Sequence, residues 1–294
     1  MFTLRHRAVP WLLVSPPLIL LTIIVLIPEI VALVLSFTNF ALGRSWRFVG
    51  FENYGRILTD PAFWSAFRVN VVFVIGAVAL EMAAGLFLAC LLARRFALQG
   101  LWVTLLLAPM AMSPAVTAVI WSYLLSFNIG PINYLMGLAG LERQEWLSSL
   151  SLTLWVVIFV EFWAALPYVV LMLYPARTIL PQSLYEAASI DGASGWTKFR
   201  YITWPLMMPA FTVALIFRIM ITIRAFGLVW ILTGGGPHRA TEIISIYLYK
   251  IGFRYWQFGA AAAIAWLVLL LTAAIAAHQV WRMYRRMFVE HRPW

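Results

Sequence analysis

Residues 186–205 read EAASIDGASGWTKFRYITWP, a polar stretch rich in small residues that stands between the apolar runs 150–174 and 206–232. Its place decides the fold, because a polar island between two runs of membrane-spanning length means a chain that leaves a bilayer, forms something compact in water and goes back. Outward from the island the pattern repeats, with further apolar runs at 11–37, 69–92, 101–125 and 258–281. A hydrocarbon core of ~30 Å asks for about 20 apolar residues per helical span, and each run is long enough. Of the 294 residues, 64% are hydrophobic and 11% charged, against about 25% charged in an ordinary soluble domain. The runs show no period-two alternation, which argues against a closed barrel, the other way to satisfy every backbone polar group in lipid. The expected fold is an all-α integral membrane protein with six transmembrane helices.

Six spans put both ends on one side. Eleven of the 21 Lys and Arg residues then share that side and eight take the other, with Arg218 and Arg224 inside the fifth run. Arg94 with Arg95, and Arg282 with Arg285 and Arg286, cluster where runs end, and the positive-inside bias is strongest there. Both termini are therefore expected to be cytoplasmic. Arg5, His6 and Arg7 imitate the start of a signal peptide, yet the run that follows is too long and lacks a small-residue cleavage site, so it is expected to be retained. The net charge of +10 is divided between both faces and flanks the apolar runs, which fits contact with anionic membrane lipid and not with nucleic acid. The single cysteine, Cys90, rules out an intrachain disulfide, and the four histidines are scattered, so no metal or redox site is expected.

Within the island, Ser183 and Glu186 have the spacing of a capping box. Asp191 and Gly192 supply a turn, since glycine accepts positive φ. Ser194 is placed to cap a second short helix, with Pro205 ending it. Ala187, Ala188, Ala193 and Gly195 would let such an elbow press its backbone into a groove. The residues alone leave two readings open, an ordinary loop in which Glu186 only caps a helix, or a docking elbow for another protein.

The spacing resembles a family signature. EAASIDG, nine residues and ITWP are similar to the EAA motif of ABC importer permeases, which reads Glu-Ala-Ala, three residues, Gly, nine residues, Ile, any residue, Leu, Pro. Glu186, Ala187, Ala188, Gly192, Ile202 and Pro205 match in register, and Trp204 replaces the leucine. FVGFENYGRILTDPAFW (48–64), GPINYLMGLAGL (130–141), EFWAALPY (161–168) and LTGGGP (232–237) are similar to segments of the carbohydrate-type permeases related to the maltose system. Gly227 departs from the pattern, standing after Phe226 where many relatives carry an aspartate.

The resemblance implies a type I ABC importer permease in a bacterial cytoplasmic (inner) membrane. Residues 1–65 would hold the N-terminal tail, first span and first outer loop, residues 66–282 the transmembrane core with its coupling loop at about 181–205, and residues 283–294 a cytoplasmic tail. It implies a second homologous permease as partner in a heterodimer, two ATPase subunits, and a periplasmic or lipid-anchored solute-binding protein. In that setting Glu186 makes a polar contact to the ATPase, Ala187 and Ala188 pack closely, Asp191 and Gly192 make the bend, and Ile202 and Pro205 complete the motif. The implied cargo is a sugar or polyol moved by alternating access, with an anionic derivative such as a sugar phosphate or sulfonate as the alternative. No Gly-x-x-x-x-Gly-Lys-Ser/Thr occurs, so this chain is expected to be a transport subunit and not an enzyme, binding no cofactor itself, with ATP and Mg on the ATPase partner.

Glu81, Glu161, Arg218 and Arg224 fall within the apolar runs, where an isolated charge costs at least ~2.5 kcal/mol. They read either as the lining of a passage or as ion bridges between helices. Trp121 and Trp163 are the aromatic candidates for stacking on a sugar ring. Pro109, Pro114 and Pro167 are expected to bend their helices. Gly234, Gly235, Gly236 and Pro237 are expected to form a flexible outer turn, a gate or a docking surface for the binding protein. A proton-driven transporter using Glu81 or Glu161 is the rival reading; a membrane-integral enzyme would need a convergent set of His, Asp or Ser, which the sequence lacks.

Overall fold

The computed structural model describes residues 3–43, 46–94 and 96–285; Arg44, Arg95, Arg286 and Arg292, and with them most of the expected C-terminal tail, lie outside these. Among the described residues all regular elements are helical, and an isolated bridge pairs Thr38 with Phe48. Helix α1 (Thr3–Leu21) runs through a π turn (Thr22–Leu26) into α2 (Ile27–Ser36). There follow α3 (Glu52–Thr59), α4 (Pro61–Leu92), α5 (Gln99–Leu107), a 3-10 turn (Ala108–Ala111), α6 (Pro114–Leu124), α7 (Pro131–Leu138) and α8 (Thr153–Thr178). The elbow comprises α9 (Gln182–Ile190) and α10 (Gly195–Lys198); a second π turn (Phe199–Thr203) leads into α11 (Trp204–Thr222), and α12 (Gly227–Thr233), α13 (Ile244–Tyr249) and α14 (Phe258–Tyr284) complete the chain.

Five helical stretches are long and apolar enough to cross a membrane: Leu13–Ser36, Pro61–Leu92, Thr153–Thr178, Gly195–Thr222 and Phe258–Arg282. The sixth expected span is not one helix. Gln99–Ala111 and Pro114–Leu124 meet at a bend of 101°. Pro109 sits in the 3-10 turn, Met112 and Ser113 are extended, and Ser113 Oγ accepts the Val116 N–H to cap α6. Residue 113 precedes a proline, which disfavours the helical basin, and its side chain then starts a new helix in a new direction.

The fifth run also departs from expectation. Its helix begins at the elbow and stops at Thr222, and the remaining apolar residues form α12, which packs against α6. An apolar run only counts residues, so it cannot separate one span from a span plus a short buried helix. A third π turn spans Lys250–Arg254; the other two have a local cause. Pro28 and Pro205 each follow one, and the carbonyl four residues before each proline, Ile24 or Tyr201, falls inside the turn. Widening the helix there relieves the clash of the proline ring with that carbonyl; the N–H groups of Ile27 and Trp204 bond five residues back, to Thr22 and Phe199.

The chain divides into two compact units. The first, Met1–Phe63 with Tyr247–Leu271, is knitted by polar side chains at the end of α2. Asn53 Nδ2 donates to the Ser36 and Thr38 carbonyls at 2.8 and 2.7 Å, and Ser36 Oγ lies 2.7 Å from Tyr54 Oη. Tyr247 Oη donates to Asp60 at 2.6 Å. Gly259 packs so tightly that an added Cβ would stand 2.1 Å from the Thr38 oxygen.

The second unit, Trp64–Ile246 with Thr272–Trp294, is built on α4, α8 and α11. An added Cβ at Gly76 would lie 2.9 Å from Ile158, and one at Gly85 would lie 2.4 Å from Val169. Small residues let two apolar helices come this close, and close packing, not water exclusion, holds helices together in lipid. Phe73, Ile158, Leu173 and Met207 are fully buried between them.

Candidate functional site

Three places bear on function: the elbow, the charges at the middle of the bundle, and the turn after α12. The elbow forms as two helices, with one expected detail corrected. Pro181 is the N-cap residue of α9 and no side chain caps it, so the Ser183–Glu186 capping box does not form. Proline fixes the helical φ and has no N–H to satisfy, which starts the helix early and leaves Ser183 inside the first turn. At the far end, Gly192 takes φ +74° and the Ala193 N–H reaches the Ala188 carbonyl at 2.9 Å, the 6→1 bond of a Schellman motif. Ser194 caps α10 as expected, accepting the Thr197 N–H at 3.2 Å.

Side chains brace the elbow from within. Lys198 Nζ donates to Ser189 Oγ at 2.7 Å, Tyr185 Oη lies 2.9 Å from Thr203 Oγ1, and the Arg177 guanidinium stands 4.5 Å above the Tyr185 ring. Its outer surface is uncovered. Glu186, Ala187, Asp191, Gly192 and Pro205 are exposed, Ala188 and Ile202 half-buried, and Ile190 and Trp196 are 86% and 68% exposed. Apolar side chains this bare, beside small residues and the two carboxylates of Glu186 and Asp191, have the character of a protein-docking surface. Pro205 does not end a helix as expected. It lies in the first turn of α11, so Gly195–Thr222 is one continuous 28-residue helix that runs from the elbow into the bundle.

That helix carries Arg218 into the bundle. Arg218 Nε donates to Glu81 Oε2 at 2.6 Å, and one terminal nitrogen donates to Glu81 Oε1 at 3.0 Å, Glu161 Oε1 at 3.1 Å and Thr222 Oγ1 at 3.2 Å. The Glu81 side chain is fully buried and those of Arg218 and Glu161 nearly so. The bridge joins α4, α8 and α11. Of the two readings from sequence, this geometry supports ion bridges for these three residues. Arg224 stands apart, exposed in the turn after α11, where its Nε donates to the Met220 carbonyl at 3.2 Å. Thr222 was missed by the sequence reading; a hydroxyl one turn beyond a buried arginine was the available signal.

Trp121 and Trp163 do meet. Their rings pack edge to face with centroids 5.5 Å apart, Phe159 stands 5.6 Å from Trp121, and the Trp121 Nε1 is buried without a hydrogen-bond partner. The turn at Gly234–Pro237 is not loose, contrary to expectation. Gly234 and Gly235 take φ +60° and +89°, Thr233 Oγ1 and Thr241 Oγ1 lie 2.7 Å apart, and Thr241 Oγ1 donates to the Gly236 carbonyl at 2.7 Å. An added Cβ at Gly235 would meet Ile246 at 3.1 Å. Glycine therefore serves tight folding here. Asn133, buried within GPINYLMGLAGL, likewise ties its loop: it donates to the Gln144 carbonyl and accepts from the Gln144 N–H, each at 3.0 Å, and from Trp146 Nε1 at 3.2 Å. Among the described residues no group of three His, Cys, Asp or Glu is placed to hold a metal ion.

Comparison with known proteins agrees with this geometry. The family described as binding-protein-dependent transport system inner membrane component matches residues 81–284. The trehalose/maltose transport system permease protein MalF of Thermococcus litoralis is 34% identical over 81% of each chain. The sulfoquinovosyl glycerol transport system permease protein SmoG of Agrobacterium fabrum is 30% identical over 93% of this chain and 90% of that one. A chain of the bacterial alginate ABC transporter, solved with its alginate pentasaccharide-bound periplasmic protein, superposes with a TM-score of 0.85 over 96% of both chains at 19% identity, which establishes the shared fold. With its all-α multi-span fold and a match from α4 through the elbow to the last helix, the chain belongs to the binding-protein-dependent transport system inner membrane component family.

Proposed function

We propose that the chain is one of two homologous permease subunits in an ATP-driven importer of a sugar or polyol, working by alternating access in a bacterial cytoplasmic membrane with both termini inside. The observation that carries this is the elbow. Its outer face leaves Ile190 and Trp196 bare beside Glu186 and Gly192, and one continuous helix joins it to the buried bridge at Arg218. Two ATPase subunits, holding ATP and Mg, would seat on the elbows; a solute-binding protein would deliver cargo at the opposite face, near Gly234–Pro237. A relative named for trehalose and maltose supports a sugar as cargo.

A neutral cargo fits the charges better than an anionic one. The two carboxylates of Glu81 and Glu161 surround the one guanidinium of Arg218, leaving no spare positive charge there. The second reading, an anionic sugar derivative, draws on the relative named for sulfoquinovosyl glycerol and on exposed Arg224. A proton-driven transporter has less support, because the candidate acids are held by Arg218 and the family is one of binding-protein-dependent systems.

The test is purification of the tagged chain from its native membrane, with and without Glu186→Arg. An ATPase and a second permease are expected with the native chain, and loss of the ATPase alone from the variant. A chain that runs alone in both preparations overturns the proposal.

A further inference from the structure

Behind the elbow, the second unit holds a polar cavity of ≈ 1030 Å³ to which no ligand has yet been assigned, although Glu186 and the bracing residues Arg177, Tyr185 and Lys198 line it. It lies among the last turns of α4 and α8 and the inner side of α9 and α10, lined among others by Arg94, Gln99, Arg177, Tyr185, Glu186 and Lys198. Three cations thus face one carboxylate. None of the three takes part in an ion pair with an acidic side chain among the described residues. The Nε of Arg177 is also buried with no hydrogen-bond partner, and a buried donor of this kind calls for an acceptor. Positive side chains in a concave site with low-dielectric walls concentrate field on whatever enters, and a guanidinium fork matches phosphate oxygens.

A second observation points to the source of that phosphate. Leu88, Leu91, Leu92, Phe96, Trp102 and Leu106 line a purely apolar groove of ≈ 370 Å³ at the same end of α4. Gln99 of the polar cavity donates to the Leu92 carbonyl of the groove at 2.6 Å, so the two adjoin. A basic recess at the end of the spans beside an apolar groove has the chemistry of a phospholipid, with headgroup in one and acyl chain in the other.

We propose that the cavity is a phosphate-binding site occupied by the headgroup of an anionic phospholipid, held by Arg94, Arg177 and Lys198. Because Arg177 and Lys198 also brace the elbow through Tyr185 and Ser189, an occupied site stiffens it. That consequence rests on the coupling role proposed above, whereas the binding does not.

The full chain, purified in detergent and stripped of lipid, is titrated with phosphatidylglycerol, phosphatidylcholine or inorganic phosphate, bound ligand being read by native mass spectrometry. Phosphatidylglycerol is expected to bind, with affinity falling roughly 5-fold for each cation removed in Arg94→Gln, Lys198→Gln and the double variant. Arg56→Gln, at an exposed arginine of the other unit, should leave it unchanged. Arg177→Lys keeps a cation but loses the buried Nε, and is expected to bind more weakly than wild type without loss of folding. Equal binding of phosphatidylglycerol and phosphatidylcholine, or variants that match wild type, overturns the proposal. Binding of inorganic phosphate with no preference among lipids overturns the lipid as its source. ATPase co-purification followed on the same variants separates the two ideas: a chain that loses lipid affinity yet keeps its ATPase supports this site, and one that keeps lipid affinity while losing its ATPase overturns it.

Discussion

Arg218→Met tests whether the buried charges are a bridge or a passage. Methionine matches the arginine stem in length and keeps its apolar contacts, but it deprives Glu81 of two hydrogen bonds and Glu161 of one. Glu81 has no solvent to turn to, its side chain being 0% exposed. Removing one partner of a buried pair costs about 3–5 kcal/mol, because a charge is left behind without its counterion. That is roughly a 10² to 10⁴-fold shift in an unfolding equilibrium. The assay is unfolding of the purified chain in mixed micelles as the denaturing detergent fraction rises, followed by tryptophan fluorescence. The triple variant Glu81→Gln, Glu161→Gln, Arg218→Met has no stranded charge and should regain more than half of the loss. A single variant as stable as wild type, or a triple variant no better than the single, would refute the bridge; if uptake were then abolished at unchanged stability, Arg218 would belong to the passage.

Other outcomes follow from particular contacts. Gly192 has open space around its Cα and a φ of +74°, so only backbone strain opposes a side chain; Gly192→Asn, which tolerates this basin, should retain ATPase co-purification, whereas Gly192→Val should lose most of it, the left-handed conformation costing a β-branched residue at least ~1–2 kcal/mol. Gly85→Leu drives a side chain into Val169, whose Cγ1 already lies 2.4 Å from where a Cβ would stand, and should destabilise the α4–α8 contact by about 1–3 kcal/mol or more, read in the same micelle titration. Ser194→Ala removes the α10 cap and should cost about 0.5–2 kcal/mol, with Ser194→Asp restoring it; equal stability of all three proteins would count against the cap.

The elbow shows how far a sequence carries. EAASIDG and the serine at 194 mark a helix end and a helix start by backbone chemistry that acts over a few residues, and the Schellman turn and the Ser194 cap stand where that chemistry puts them. The same locality explains the error at Ser183, where a proline two residues earlier claimed the helix start. Membrane class and helical type were legible for a related reason, since the bilayer demands about 20 apolar residues per span and the chain supplies them.

What only the tertiary structure decided depends on residues far apart in the chain. Hydropathy read 101–125 and 206–232 as two plain spans; folding made one a bent pair and cut the other short so that α12 could pack on α6. Hydropathy also singled out Glu81, Glu161, Arg218 and Arg224 alike, yet three of them meet across 137 and 57 residues of sequence while the fourth faces outward. The sequence by itself determined that this is a helical membrane protein with a short two-helix elbow between spans, because those properties arise from local solvation and local hydrogen bonding. Which charges pair, which glycines are crowded and where a polar recess opens behind the elbow were decided by the packing of α4, α8 and α11, because helix faces choose their neighbours only once the whole bundle has assembled.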